Sequence, residues 1–195
     1  TLEASELLSG QRNFRQRSGY EDQGLVSLQV MESSIDTFYT TLGGTTLNWR
    51  KPGGPAYRGT AALESGGFDL DVFLPLQART GSIARAASTY LGAPSTGVAA
   101  LDPVPLEQGT PPQDFTGPEI RLWARGYEGV EEPSVSGKVS VEAELTDSSG
   151  ICFVGGEAGS ITLFLDGQGI DVSEEFSYSQ GSSTRGTLSA DLEQL

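Results

Sequence analysis

Few side chains in this sequence could do chemistry, and each needs a setting. Asp69 and Asp71 form an Asp-x-Asp pair within Phe68-Asp69-Leu70-Asp71-Val72-Phe73-Leu74. On a strand both carboxylates face the same side, where a pair can contribute to a Ca²⁺ cage; such a cage wants six to eight oxygens and often a Gly-kinked loop. No EF-hand spacing accompanies the pair, so it reads as a solvated strand face. Cys152 sits in the apolar run Gly150-Ile151-Cys152-Phe153-Val154, with no base nearby. A thiol packed in such a core has a raised pKa and little reactivity. Glu128, Glu131 and Glu132 beside Pro133 read as loop acids. Glycosidase chemistry would need a cleft that raises one carboxyl pKa, and a loop offers none.

The chain of 195 residues contains one Cys and no His. That excludes Ser-His-Asp and Cys-His nucleophile pairs, an imidazole proton shuttle, His metal ligands, an internal disulfide and a thiolate zinc cage. Gly53-Gly54 and Gly155-Gly156 lack the Lys-Ser/Thr of a phosphate loop. No catalytic, cofactor-binding or metal-binding residue is therefore assigned, and no cofactor and no enzymatic activity are expected.

The remaining candidates are for binding. Arg12, Arg15 and Arg17 cluster beside Phe14 and Tyr20, and read either as a docking arm for an acidic partner or as a solvated linker. Trp123, flanked by Arg121 and Arg125, brings together residue types that dominate binding hot spots; with the register shifted by one residue it would instead cap the core. The net charge is −14, and it is uneven. Residues 1–100 carry nine acidic and eight basic side chains, residues 101–195 seventeen and four. Such a surface disfavours nucleic acid and anionic lipid, since both are held chiefly through Lys and Arg. No apolar run approaches the roughly 18 residues of a spanning helix, and no signal-type start is seen, which reads as a removed leader or a piece of a longer chain.

The elements that would hold these residues are mostly strands. One weak helical pattern, Ser5 to Arg17, is broken by Gly10. Period-two alternation predicts strands at Leu25–Val30, Ile35–Thr41, Tyr57–Leu63, Phe68–Leu74, Ile120–Arg125, Val139–Thr146 and Ile161–Leu165. Phe68, Leu70, Val72 and Leu74 should point inward, and Gly66-Gly67 should turn a hairpin. Ser82–Leu91 suits strand or helix. Pro103, Pro105, Pro111, Pro112 and Pro118 mark residues 101–118 as a stiff linker. The expected fold is all-β: an extended N-terminal arm (1–24), a first immunoglobulin-like sandwich (25–100), the Pro-rich linker (101–118) and a second sandwich (119–195). At about 77 residues the second unit is short for that fold, so its sheet should lack the last strand and expose an edge.

An ordered series supports a family likeness. Thr116-Gly117-Pro118-Glu119-Ile120, Ala143 through Ile151, Ile161-Thr162-Leu163-Phe164-Leu165-Asp166-Gly167 and Gly186 through Glu193 resemble the region downstream of the protease domain in gingipain-like cysteine peptidases, especially the sortase-like member of the type IX secretion system. Tyr57-Arg58-Gly59-Thr60-Ala61 and Gly67 through Pro75 match the strand pair before the same linker. The resemblance implies extracytoplasmic β-modules (periplasm or cell surface) without the catalytic domain, since none of the matched positions is catalytic. The expected function is a non-catalytic structural or interaction module docking on other protein subunits of a larger assembly, for example on the outer face of a membrane complex. The alternative is an accessory region of a gingipain-like peptidase involved in protein secretion.

Overall fold

The structure, a computed structural model, describes residues 2–6, 11–17, 24–65, 67–74, 78–79, 81–91, 98–106, 116–131, 133–134, 137–153 and 160–192. The fold is all-β. Its strands are β1 (Leu2–Glu6), β2 (Gln11–Arg17), β3 (Gly24–Met31), β4 (Ile35–Thr40), β5 (Thr46–Lys51), β6 (Pro55–Leu63), β7 (Gly67–Phe73), β8 (Gly81–Leu91), β9 (Val98–Leu106), β10 (Glu119–Ala124), β11 (Val139–Thr146), β12 (Thr162–Leu165), β13 (Gln168–Asp171), β14 (Phe176–Tyr178) and β15 (Arg185–Leu192). A 3₁₀ turn, Ser173–Glu175, precedes β14.

One eight-stranded sheet, in the order β10-β11-β15-β14-β6-β3-β8-β9, draws four strands from each half of the chain. Alternation gives it a single apolar face. Ala143 and Leu145 of β11 lie opposite Leu188 and Gly186 of β15, and Phe176 and Tyr178 of β14 share the latter two as partners on the other side. Tyr178 is in register with Gly59, and Val26 and Leu28 pair with Ala61 and Gly59. All of these side chains are buried except where Gly supplies none. Over this face lies a three-stranded sheet, β1-β2-β7, whose Phe68, Leu70 and Val72 join the same core, with Leu163 and Ile170 of the β12–β13 hairpin packed against it. Burying one such aliphatic or aromatic side chain is worth about 1.5–3 kcal/mol.

The halves meet at a parallel bridge between Tyr178 and Gly59. Tyr57 and Tyr178 stack there with ring centroids 4.9 Å apart and planes 12° off parallel. The Tyr57 hydroxyl donates to the Ser182 carbonyl (2.9 Å), Gly181 N–H donates to the Thr60 carbonyl (2.8 Å), and the Arg58 guanidinium donates to the carbonyls of Glu174 and Phe176. Position 59 requires glycine for space: a Cβ would stand 2.4 Å from the Tyr57 hydroxyl oxygen and 3.1 Å from the Tyr178 Cβ.

Several expectations need correction. The weak helical pattern at Ser5–Arg17 is an antiparallel strand pair, with Ala4 opposite Phe14, and β2 pairs again with β7 along Gln11–Arg17. The N-terminal segment is thus part of a sheet rather than a solvated linker. Glu64 and Gly67 do close a tight turn through reciprocal backbone hydrogen bonds of 2.8 and 3.0 Å, with Ser65 at φ 49°. Beyond it β6 and β7 part into different sheets, because both carry apolar faces that cover one another instead of pairing edge to edge. Residues 101–106, read as linker, belong to β9, an edge strand whose register with β8 is irregular where Pro103 and Pro105 fall. Proline tolerates such an edge because its missing N–H would face outward. Residues 107–115 lie outside the described residues. The stretch from Leu188 to Leu195 reads in the sequence as the approach to a missing strand; its described part, Leu188–Leu192, lies in β15, paired with β11 throughout and with β14 at Leu188, and among the described strands the edges of the large sheet are β9 and β10.

Candidate interaction surface

The largest group of exposed apolar residues lies on β4 and β5, which carry Ile35, Phe38, Tyr39, Leu47 and Trp49. The alternation in the sequence from Ile35 to Thr41 accounts for β4; its partner β5 is built from Leu47 and Trp49 alternating with Asn48 and Arg50. Thr41–Thr45 turn the chain: Thr41 N–H donates to the Thr45 carbonyl (2.9 Å), Gly44 N–H to the Thr41 carbonyl (2.9 Å), and Thr45 N–H to Thr41 Oγ1 (3.2 Å). Gly44 stands at φ 82°, a conformation glycine adopts without steric cost. β4 and β5 pair only with each other among the described strands.

Register divides the hairpin into two faces. Ile35, Thr37 and Tyr39 stand opposite Lys51, Trp49 and Leu47; Asp36, Phe38 and Thr40 stand opposite Arg50, Asn48 and Thr46. The first face is largely apolar, yet Tyr39 is 57% exposed, Leu47 55% and Trp49 48%. Phe38 and the turn residue Leu42 are more exposed still. Arg50 Nε donates to Asp36 Oδ1 at 3.0 Å, a surface pair worth at most about 1 kcal/mol. Single exposed apolar residues are ordinary, but a contiguous group of them on one hairpin makes it a candidate contact surface.

A second apolar group occurs at the opposite rim of the large sheet. Ile120 and Leu122 are in register with Leu145 and Ala143, so they lie on the core face. No described strand flanks β10 on its other side, and both remain more than half exposed. Alternation along Ile120–Arg125 fixes the face on which they lie but not whether anything covers it.

On the other face of β10, Trp123 is half-buried and tied down. Its Nε1–H donates to Glu142 Oε2 (2.9 Å), while Arg125 Nε donates to Glu142 Oε1 (2.8 Å) and Arg125 also reaches Ser189 Oγ. The hydrogen bond from Arg125, then that from Trp123, holds the Glu142 carboxyl below its ordinary range. Arg185 pairs with Glu144 in the neighbouring position.

The other residues singled out in the sequence are scattered. Asp69 and Asp71 are exposed and, with residues 181–184, border an open depression of about 370 Å³. Cys152 is half-buried between Ile151 and Phe153, which alternation sends into the core; the expected packed cysteine is thus displaced by its neighbours. Glu128 and Glu131 are exposed, and Glu132 lies outside the described residues, as do Tyr20 and Gly155-Gly156. Arg12, Phe14, Arg15 and Arg17 lie on β2, where the described structure is the backbone. Among the described residues no group of three or more His, Cys, Asp or Glu is placed to hold a metal ion.

Sequence reasoning missed a buried polar knot. Glu32 is 6% exposed; its carboxylate accepts from Arg79 N–H (2.8 Å) and Gly54 N–H (3.2 Å), with Arg79 Nη1 at 3.9 Å. Gly53 allows this approach, since a Cβ there would stand 2.3 Å from the Glu32 carbonyl oxygen. The knot anchors both ends of the hairpin, at residues 32 and 53–54. Only the Gly53-Gly54 pair hinted at it, by signalling a close backbone approach.

Comparison with known proteins places the fold. No protein-family model matches the chain, and no curated protein does. Among solved structures, the crystal structure of dimeric latent PorU from Porphyromonas gingivalis matches with a TM-score of 0.53 and 18% identity. The match covers 97% of this chain but 19% of that one, so this chain spans about a fifth of its length. At that identity the likeness is one of fold: the β-architecture described here is similar to a portion of a much longer protein.

Proposed function

We propose that the protein is a non-catalytic structural or interaction module that works outside the cytoplasm by docking on a larger protein assembly, such as a peripheral subunit on the outer face of a membrane complex. The observation that carries this reading is the β4–β5 hairpin, which presents Tyr39, Leu42, Leu47 and Trp49 to solvent from a base fixed by Glu32. A rigid base under an apolar finger lowers the ordering cost of binding. The sequence contains no His and so cannot form the nucleophile pairs that rely on one. The extracytoplasmic location draws on the sequence resemblance and the PorU-like fold.

The finer architecture belongs to the same proposal: two immunoglobulin-like units joined side by side. The joint supports it, because the halves pair through one parallel bridge whereas pairing inside each half is antiparallel.

The alternative, an accessory region of a gingipain-like peptidase, is favoured by the alignment of nearly the whole chain to a fifth of PorU. Mass analysis of the native polypeptide separates the two. A much longer polypeptide carrying a Cys-His protease domain supports the alternative. For the leading reading, the protein should migrate with a larger complex after gentle extraction of the cell envelope, and Trp49→Ser should release it. A lone monomer in that extract overturns it.

A further inference from the structure

We propose that the hairpin's occupant is a second copy of this chain, with β5 of one copy adding to the bare edge of β10 of the next. The inference rests on the docking role of the hairpin and names its partner. Three observations lead to it. First, both strands have an unpaired side among the described residues: β5 is one edge of a two-stranded sheet, and β10 ends the eight-stranded one. Both are six residues long. Strand addition at such edges draws its affinity from main-chain hydrogen bonds and its specificity from alternate side chains.

Second, the two alternations match in one antiparallel register. Setting Trp49 opposite Ile120 places Leu47 opposite Leu122 and Asn48 opposite Arg121, and it brings Arg50 to Glu119. The exposed apolar residues of both strands then share one face. Aromatic–β-branched, aliphatic and opposite-charge neighbours are the stabilising cross-strand pairs. Sliding by two residues, to Trp49 opposite Leu122, sets Arg50 against Arg121 and is penalised by like charge. β4 offers no equivalent, because its best apolar alignment, Tyr39 opposite Ile120, leaves Thr37 on Leu122 and Asp36 on Trp123.

Third, the local charges complement one another. Residues 35–51 carry one acidic and two basic side chains, whereas residues 119–132 carry four acidic and two basic. The added strand would also extend the apolar core face over Ile120 and Leu122, whose exposure the single copy leaves unrelieved.

Sedimentation velocity over a concentration series tests this, with circular dichroism confirming that every variant is folded. The wild-type chain should self-associate, and Trp49→Ser should weaken association at least about tenfold. Arg50→Glu and Glu119→Arg should each weaken it, while a mixture of those two variants should associate with each other as the wild type does. A chain that stays monomeric at every concentration, or a mixture no better than either variant alone, overturns the proposal. Photocrosslinking in the native envelope, with p-benzoylphenylalanine in place of Leu42, separates the two levels. An adduct between copies supports the proposal. An adduct with a different polypeptide overturns it and leaves the docking role standing; no adduct overturns both.

Discussion

Replacing Tyr178 by Phe probes the joint on which the shared core depends. The Tyr178 hydroxyl receives the Ile151 N–H and donates to the Ile151 carbonyl, both at 2.8 Å, in a buried setting. Tyr178→Phe keeps the ring, its 4.9 Å stack on Tyr57 and its edge contacts with Phe153 and Phe176. What it removes is the partner of two buried backbone groups. Leaving one such group unsatisfied costs about 1–3 kcal/mol, and relief from burying the hydroxyl offsets part of the sum. The expected loss is about 2–3 kcal/mol, a large share of the roughly 5–15 kcal/mol typical of a domain. For a chain of this size each kcal/mol lowers Tm by about 2–4 °C, so the variant should melt about 4–12 °C earlier. Urea denaturation followed by tryptophan fluorescence, with the slope compared, gives the free energy directly. A loss below about 0.5 kcal/mol at unchanged slope would refute the claim that this hydroxyl bridges Ile151 to β14.

Other outcomes follow from the same geometry. Because one core unites both halves, circular dichroism and fluorescence should trace a single coincident unfolding transition; two separated transitions would show that the halves fold independently. Glu32→Ala strands the Arg79 and Gly54 N–H groups and should cost about 2–4 kcal/mol by urea titration, whereas Asp36→Ala at the exposed end of the hairpin should cost less than about 1 kcal/mol. Burial raises the pKa of Tyr57 and of Tyr178 above the ordinary tyrosine range. The unfolded chain therefore loses these protons first, so stability is intact below pH about 10 and falls as pH rises above it. Melting curves that stay level from neutral pH into that alkaline range would contradict this. Gly59→Ala should be destabilising because no space exists for a methyl group between Tyr57 and Tyr178, and a variant as stable as the wild type would refute that packing.

Strand identity was largely legible because alternation is a local property. Phe68, Leu70 and Val72 alternate with Asp69 and Asp71, and the structure buries the former and exposes the latter. Sheet membership was not legible, since it depends on partners distant in sequence: nothing in Tyr57–Leu63 announces that β6 will meet β14 more than a hundred residues on. The N-terminal strands were hidden for a related reason. Gln11–Arg17 is mostly polar and takes its form from β7 rather than from its own pattern. Trp123 was correctly placed beside Arg121 and Arg125 in sequence, but its bond to Glu142 requires the β10–β11 register. Of the hairpin, β4 was legible in the alternation of Ile35–Thr41, whereas β5, exposed along its whole length, lacks the buried face by which strands are usually recognised.

The two rims of the long sheet differ in kind. At the β9 rim, Pro103 and Pro105 carry no amide hydrogen, and the ladder to β8 is broken around them. Such a border is a poor template for an incoming chain and guards against runaway fibre growth. The opposite rim has no proline between Glu119 and Ala124. Growth of this sheet is thereby given a polarity, with one terminus sealed and the other receptive.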